Sequence, residues 1–220
     1  VAVGNQQGSW YNRLGDITQR QQDIIVGNIL GDGYLDPKGE ITRLCLKQSQ
    51  EKREYIFWLY QELQNICKSP PKQRKDNKQW YVNTRYSHEF THLRMLFYQD
   101  GIKIIPKNIT SFFQNPLSLA VWFMDDGTLD WRLKDHYAFR LATNCFSLAD
   151  NQLLVSLLKK NFLVDATVQT TLIRGKRYPR IHIGAKGRSC FYKLVKPFML
   201  DCFNHKLPPL YLTPQRLGHL

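Results

Sequence analysis

The sequence has few acidic residues for its size and no long apolar run. Only 18 of its 220 residues are Asp or Glu, against 31 Lys or Arg, so the formal net charge is +13. No apolar stretch approaches the ~20 residues that cross a bilayer, which excludes a membrane-spanning helix. A folded chain with this excess of positive charge favours a polyanionic partner, and nucleic acid is the first candidate. The alternative is a basic surface that is merely solvated.

The chain also lacks the marks of a secreted protein. Its five cysteines are an odd number without a Cys-x-x-Cys pair, and its first residues lack a basic segment followed by an apolar one. We therefore expect reduced thiols in an intracellular protein, made in a mitochondrion, a chloroplast or the prokaryotic cytoplasm. Disorder is excluded, because 43% of the residues are hydrophobic and 13% are aromatic.

Two apolar segments, 24–35 and 117–129, end in the same way. Each closes on Asp-Gly, one further residue and Leu, so that Asp32 and Asp126 occupy matching places nearly half a chain apart. A capping box at Thr18 and an Asn115-Pro116 start predict that each segment is a helix. Gly33 and Gly127 are expected to stop these helices.

The elements that follow each segment also match. Alternation predicts strands at 41–47 and 137–144, and helical spacing predicts helices at 53–66 and 148–161. Basic hairpins at 72–85 and 167–183 and closing helices at 88–98 and 188–198 complete the two halves. We therefore predict an α+β fold of two α-β-β-α-β-β-α lobes, spanning residues 16–113 and 114–213.

Asp32 and Asp126 are expected at helix C-termini, where the helix dipole disfavours a carboxylate. If the helices pack side by side and parallel, both carboxylates and the free carbonyls meet in an oxygen-lined site that suits Mg²⁺. Gly27 and Gly31, four residues apart, would allow the close approach. The alternative is that Asp-Gly is only a turn after a buried helix. Its repetition at corresponding places argues against that.

The segments GNILGDG at 27–33 and LAVWFMDDG at 119–127 resemble the paired motif of LAGLIDADG homing endonucleases. The second resembles the single-chain, intron-encoded branch. The resemblance implies a pseudo-symmetric monomer whose motif helices form an interface between the lobes. Two antiparallel sheets would then form a saddle over double-stranded DNA with a long asymmetric target site. It also implies metal-dependent hydrolysis of both strands across the minor groove, leaving short 3′ overhangs.

The resemblance assigns residues to this chemistry. Asp32 and Asp126 would bind Mg²⁺ with the backbone carbonyls of Gly31 and Asp125. Mn²⁺ is an alternative metal, and Ca²⁺ would support binding without turnover. Lys103 and Lys206, which precede Pro106 and Pro208, match the basic residues that the family uses near each metal. They would polarise water or stabilise charge on the scissile phosphate.

The predicted strands carry polar and basic side chains that suit base edges and phosphates. We expect DNA contacts from these residues of the first half: Arg43, Lys47, Lys72, Arg74, Lys75, Gln79, Tyr81, Asn83 and Arg85. In the second half the corresponding residues are Arg140, Asn144, Gln169, Thr171, Arg174, Lys176, Arg177, Tyr178, Arg180 and His182.

Other interpretations of the chain remain open. An intron RNA-splicing maturase or a non-cleaving DNA-binding protein could have the same fold, and intron RNA is then a further partner. Residues 88–92 also match the zinc-protease pattern H-E-x-x-H, but no third ligand is evident. We expect His88 to be a helix-start residue instead.

Overall fold

The computed structural model describes residues 17–132 and 136–209, which form two compact units. One unit contains the residues up to Gln22 and Gly33–Met95; the other contains Asp23–Asp32 and the chain from Leu96 onward. The helices are α1 Gln19–Leu30, α2 Arg53–Leu63, α3 His88–Phe97, α4 Pro116–Asp126, α5 Leu148–Phe162 and α6 Arg188–Val195. The strands are β1 Tyr34–Lys38, β2 Ile41–Gln48, β3 Lys72–Gln73, β4 Trp80–Asn83, β5 Tyr98–Gln99, β6 Ile102–Lys103, β7 Gly127–Arg132, β8 His136–Leu141, β9 Thr167–Ile173 and β10 Lys176–Ile183.

The predicted α+β class and the repeated element order are confirmed. Each half runs helix, two strands, helix, two strands, helix. The two four-stranded antiparallel sheets have the same strand order, β1-β2-β4-β3 and β7-β8-β10-β9. The first half adds a short hairpin, β5–β6, that the sequence analysis had not predicted. The division into lobes at residues 113 and 114 stays a prediction.

The core of the first unit lies between α2 and the face of its sheet. On α2 the buried side chains recur with helical spacing, and on β2 the buried residues Leu44 and Leu46 alternate with Arg43 and Lys47, which lie on the opposite face. This alternation gives the sheet one apolar face and one polar face.

The core of the second unit is built around α4, an almost wholly apolar helix. Its Phe123 ring packs edge-on against Phe139 of β8 and Phe191 of α6, at centroid distances of 5.4 and 5.0 Å. Buried on every side, α4 has few polar groups to place near water, which explains its continuous apolar sequence. Within the described residues, every helix is too short or too polar for a transmembrane segment.

Both predicted helix starts are present, but the stop at Gly127 acts differently from the prediction. At the start of α1, the Gln21 N–H donates to Thr18 Oγ1, and the Thr18 N–H donates to Gln21 Oε1. At the start of α4, the Leu117 N–H donates to Asn115 Oδ1. Gly127 ends α4 with φ −79° and ψ 150°, which is extended backbone rather than a left-handed cap. Glycine is needed at position 127 because there is no room for a side chain: a Cβ would collide with the Phe123 ring.

Candidate metal centre and nucleic-acid interface

The helices α1 and α4 pack so closely that only glycine fits at two positions. A Cβ at Gly27 would lie 2.6 Å from the Ser118 carbonyl oxygen and 2.8 Å from Val121 Cβ. A Cβ at Gly31 would lie 2.6 Å from Asp125 Oδ2. The close approach that the sequence predicted for these glycines is therefore confirmed.

Polar contacts at both ends fix the direction of the two helices. Near their N-termini, Asn115 Nδ2 donates to Asp23 Oδ2 at 2.7 Å. Near their C-termini, the Asp32 N–H donates to Asp125 Oδ2 at 3.2 Å. The helices therefore run parallel over the stretch from Asp23 to Asp32, as predicted, and their C-terminal ends come together.

Asp32 and Asp126 meet at this shared end. Asp126 is the last residue of α4, and Asp32 lies two positions beyond the last residue of α1. The pKa of the Asp126 carboxyl is raised to about 7, first by burial and then by the negative charge of Asp32, while the charges of Lys103 and Lys206 act in the opposite direction. The site thus places one partly buried carboxylate beside another, an arrangement that a bound cation would stabilise.

Lys103 is brought to the site by the β5–β6 hairpin. Its two-residue turn, Asp100-Gly101, has positive φ at both positions, 51° and 77°, as a type I′ turn requires. The Lys103 Nζ donates to the Gly31 carbonyl oxygen at 3.0 Å. Burial lowers the pKa of this lysine, while nearby groups, including Cys145 and Asp126, act in the opposite direction.

Lys206 reaches the same region from a different kind of element, the 3₁₀ helix Asp201–Lys206. It is buried, with 7% of its surface exposed, and its Nζ donates to the carbonyls of Phe123, Met124 and Asp125 at 3.3, 2.7 and 3.5 Å. A lysine in this position satisfies the C-terminal carbonyls of α4 and opposes the negative end of its dipole.

The donor set at this end fits a hard divalent cation. The described residues contain no cluster of three or more His, Cys, Asp or Glu side chains. Two carboxylates and the carbonyls of Gly31 and Asp125 are the available protein ligands. Mg²⁺ is commonly held by one or two carboxylates together with water and substrate phosphates, so this number suffices.

The strand register of the first unit's sheet places several polar and basic side chains on the same face. Arg43 lies opposite Asp36, Lys47 lies opposite Tyr81, and Tyr81 also pairs with Lys72. Asn83 belongs to the same face, opposite Cys45. Five of the predicted DNA-contacting residues thus share one surface: Arg43, Lys47, Lys72, Tyr81 and Asn83.

The second unit's sheet has an equivalent polar face. His182 lies opposite both Arg140 and Thr167, Arg180 opposite Gln169, and Tyr178 opposite Thr171. Their neighbours Ile181 and Ile183 are buried on the other face. The hairpin tip is the two-residue turn Arg174-Gly175, again with positive φ at both positions.

The remaining predicted contact residues lie outside the strands or at their exposed ends. Arg85 follows β4, and its guanidinium donates to the carbonyls of Asn65 and Cys67, so it is engaged within the fold. Arg74 pairs with Asp76 at 2.6 Å in the first hairpin tip. The others are Lys75 and Gln79 in or beside that tip, Asn144 after β8, and Lys176 and Arg177 at the start of β10. A DNA contact for any of these residues stays a prediction.

A family model for the LAGLIDADG DNA endonuclease family matches residues 22–191, more than three quarters of the chain. The chain belongs to this family. The resemblance that rested on the two motifs is therefore confirmed, and the matched region contains both motifs and both four-stranded sheets.

Known members support the assignment along almost the whole chain. DNA endonuclease I-ChuI of Chlamydomonas applanata is 29% identical over 210 residues, covering 87% of this chain and 95% of that protein. The structure of homing endonuclease I-WcaI bound to its DNA recognition sequence superposes with a TM-score of 0.75 at 22% identity, covering 94% of this chain and 96% of that one. This second likeness establishes the fold.

A relative that is named for RNA maturation also matches. The cytochrome b mRNA maturase bI2 of Saccharomyces cerevisiae is 26% identical over 214 residues, covering 89% of this chain but 49% of the maturase. The match therefore spans about half the length of that protein.

Cys145, which the sequence analysis did not single out, also lies near Lys103 and Asp126. Burial raises the pKa of its thiol, the charge of Lys103 lowers it and that of Asp126 raises it. The only sequence signal was its place in the loop after β8. The H-E-x-x-H pattern, in contrast, belongs to the start of α3 at His88, as predicted.

Proposed function

We propose that this protein is a site-specific endonuclease that hydrolyses phosphodiester bonds on both strands of double-stranded DNA. The observation that carries the proposal is the meeting of Asp32 and Asp126 at the C-terminal ends of two tightly packed parallel helices. The name of the relative I-ChuI, a DNA endonuclease, supports the reaction. The net charge of +13 supports the polyanionic substrate.

The metal in this proposal is Mg²⁺, with Mn²⁺ as an alternative. Asp32, Asp126 and the carbonyls of Gly31 and Asp125 would hold it. When bound, a divalent metal activates water as a nucleophile and neutralises the charge that develops on the phosphate and the leaving group. The raised pKa of Asp126 supports a cation site, because proton and metal would compensate the same paired carboxylates.

Lys103 and Lys206 complete the proposed centre. Each Nζ lies against a carbonyl at the shared helix end, so each brings a positive charge next to the aspartates. Such a charge stabilises the negative charge that accumulates on the scissile phosphate.

A cleavage experiment tests the proposal. The protein would be incubated with a supercoiled plasmid library of randomised sites in Mg²⁺, Ca²⁺ or EDTA, and nicked and linear products would be measured. We expect linear product in Mg²⁺ alone. Asp32→Asn and Asp126→Asn should abolish it while DNA binding in Ca²⁺ stays within a few-fold of wild type. The control is Asp165→Asn, whose carboxylate pairs with Lys159 on α5. Full cutting by either motif variant would refute the assignment.

Similarity to the cytochrome b maturase supports a second candidate, binding of intron RNA. The two candidates differ in preferred ligand. Competition of labelled target DNA with unlabelled duplex DNA or folded RNA separates them. An endonuclease should be displaced by the cognate duplex at a far lower concentration than by any RNA. Tight, selective RNA binding without metal-dependent cleavage would favour the maturase, and selective DNA binding without cleavage would favour a non-cleaving protein.

We further propose that the protein acts as a monomer inside the cell. Its duplicated sequence supplies both motif helices in one chain, so a second copy is not needed to complete the pair. The names of its relatives, among them an intron-encoded endonuclease and an mRNA maturase, support an organellar or prokaryotic setting.

A further inference from the structure

An acidic residue lies on the polar face of the first unit's sheet, among the side chains assigned to DNA. Asp36 of β1 stands directly opposite Arg43 of β2. The Asp36 Oδ2 accepts from Arg43 Nε at 2.9 Å and lies 2.8 Å from Arg43 Nη2. The Tyr86 hydroxyl also donates to this oxygen at 3.3 Å, and its ring lies under the Arg43 guanidinium. Arg43 is thereby held in one pose.

The second unit's sheet has a comparable acid–arginine pair on its polar face, although here the two residues are diagonal neighbours: Asp130 stands opposite Ala138, and Arg140 stands opposite Thr128. Asp130 of β7 forms an ion pair with Arg140 of β8, and both side chains are about one fifth to one quarter exposed. Arg180 of β10 adjoins the pair: burial and the charge of Arg140 lower the pKa of Arg180, while Asp130 opposes them. The guanidinium groups of Arg140 and Arg180 therefore both lie within electrostatic range of Asp130, and Arg140 forms the ion pair with it.

The donors of this cluster outnumber its acceptors. The Nε atoms of Arg140 and Arg180 are buried and have no hydrogen-bond partner among the described residues. A guanidinium has five N–H donors, and a single carboxylate cannot satisfy two such groups. The cluster therefore has more donors than its own carboxylate can satisfy, and Arg140, whose side chain is one quarter exposed, can donate to an acceptor outside the protein.

The two acids also hold matching places in the repeat. Asp36 lies four residues after Asp32, and Asp130 lies four residues after Asp126. A negative charge on a surface that approaches phosphates weakens binding to all DNA alike. Partly exposed ion pairs add little stability. Two acids at equivalent points of the polar faces, in a chain with only 18 acidic residues, therefore need another reason to be there.

We propose that Asp36 and Asp130 are specificity-determining residues that hold Arg43 and Arg140 in the pose that reads a guanine edge. The inference rests on the proposed DNA-cleaving function. Arginine recognises guanine through two parallel bonds to O6 and N7, which requires a fixed guanidinium plane. A freely rotating arginine would instead reach for phosphates, which carry no base identity. The paired acid suppresses that alternative.

The test compares three acids that each pair with one arginine. Asp36→Ala and Asp130→Ala remove the acids from the sheets, and Asp76→Ala removes the exposed acid that pairs with Arg74 at the hairpin tip. All three raise the net charge by one. Base preference would be measured for each variant in Ca²⁺ by selection from a randomised duplex library. Arg43→Ala and Arg140→Ala mark the base pair that each arginine reads.

Asp36→Ala should lose discrimination at the same base pair as Arg43→Ala, and Asp130→Ala at the same one as Arg140→Ala, each by about ten-fold. Affinity for unrelated DNA should rise in both acid variants. The Asp36→Ala/Arg43→Ala double variant should lose no more discrimination than Arg43→Ala alone. Asp76→Ala should bind all sequences more tightly with an unchanged preference profile.

Three other results would contradict the inference, each in a different way. If both acid variants fold, judged by thermal melting, and keep every wild-type preference, the acids only form ion pairs and the inference is wrong. Loss at a base pair that the partner arginine does not read would also overturn it. If the wild-type protein enriches no sequence at all, the proposed function itself fails, and the inference fails with it.

Discussion

At the scale of single residues, Lys103 and Lys206 occupy matching places in the sequence but different environments. Lys206 is buried in a 3₁₀ helix and donates to the carbonyls of Phe123, Met124 and Asp125 on α4. Lys103 lies on the β5–β6 hairpin and donates to the Gly31 carbonyl, and burial lowers its pKa. Lys206 therefore contributes to the fold as well as to the proposed chemistry. For Lys103, the cost of burying the ammonium group offsets part of what its contacts contribute.

We predict that Lys206→Met lowers the free energy of unfolding by about 2–3 kcal/mol, because bonds from a charged donor to buried carbonyls are lost. Lys103→Met should change it by less than about 1 kcal/mol, since removing a partly buried ammonium also removes its desolvation cost. Urea unfolding measures both values. Each variant should still slow single-turnover cleavage, and one should accumulate nicked plasmid. Equal stability of the two variants would contradict the structural difference.

A second residue-scale prediction concerns pH. The folded-state pKa of Asp126 is about 7, raised from the usual 3.8, so the folded protein holds this proton more tightly than the unfolded chain. In EDTA, the contribution of Asp126 to stability should be fully present below about pH 4. It should fall as pH rises to about 7 and stay constant above that, with a total loss of at most about 4 kcal/mol.

Thermal unfolding at pH 5 and pH 8 checks this expectation. Asp126→Asn should flatten the pH dependence and be more stable than wild type at pH 8 without metal, whereas Asp165→Asn should follow the wild-type curve. Added Mg²⁺ should stabilise the wild type more at pH 8 than at pH 6, because the proton competes with the metal. An unchanged slope in Asp126→Asn would show that another group controls it.

At the scale of elements, the features that depend on local sequence patterns, such as helix caps and strand faces, were predicted correctly. Both helix caps rest on residues within three positions of each other, and the strand faces follow from simple alternation. The β5–β6 hairpin was missed although Asp100-Gly101 is a strong turn signal, because each strand has only two residues. The contacts of Lys206 with the carbonyls of α4 could not be predicted, because these partners lie more than 80 positions away in the sequence.

The close packing of α1 on α4 is also testable as an element-scale prediction. In an isolated helix, Gly27→Ala would be stabilising by about 1 kcal/mol, because glycine is the poorer helix former. Here the new Cβ would lie 2.6 Å from the Ser118 carbonyl oxygen, a backbone atom that cannot easily move. We therefore expect destabilisation by about 1–3 kcal/mol. Ser156→Ala, at an exposed site on α5, is the control and should change stability by less than about 0.5 kcal/mol. A stabilised Gly27→Ala would contradict the helix contact.

At the scale of the whole molecule, the charge of +13 governs how the protein meets DNA. Composition alone predicted a polyanionic partner, but it could not separate charges that contact phosphates from those that are only solvated. Within each unit, the sheet separates the charged side chains on its polar face from those on the helices that pack against its other face. In the second unit, Lys176 lies at the exposed hairpin tip, whereas Lys160 is on α5, which packs against β9 and β10.

These two lysines give a matched prediction about salt dependence. Each phosphate that the protein neutralises adds about 0.9 to the slope of log K against log salt concentration, so wild-type binding to duplex DNA should weaken steeply as salt is added. Lys176→Ala should reduce that slope by about 0.9 and weaken all sequences alike, because a phosphate contact carries no base identity. Lys160→Ala removes the same charge from the helix side of the sheet and should leave the slope nearly unchanged. Binding titrations at four or more salt concentrations, with cognate and unrelated duplexes, measure both effects. Equal slope changes in the two variants would mean that only net charge matters, and an altered base preference in Lys176→Ala with an unaltered slope would place that lysine at a base edge instead.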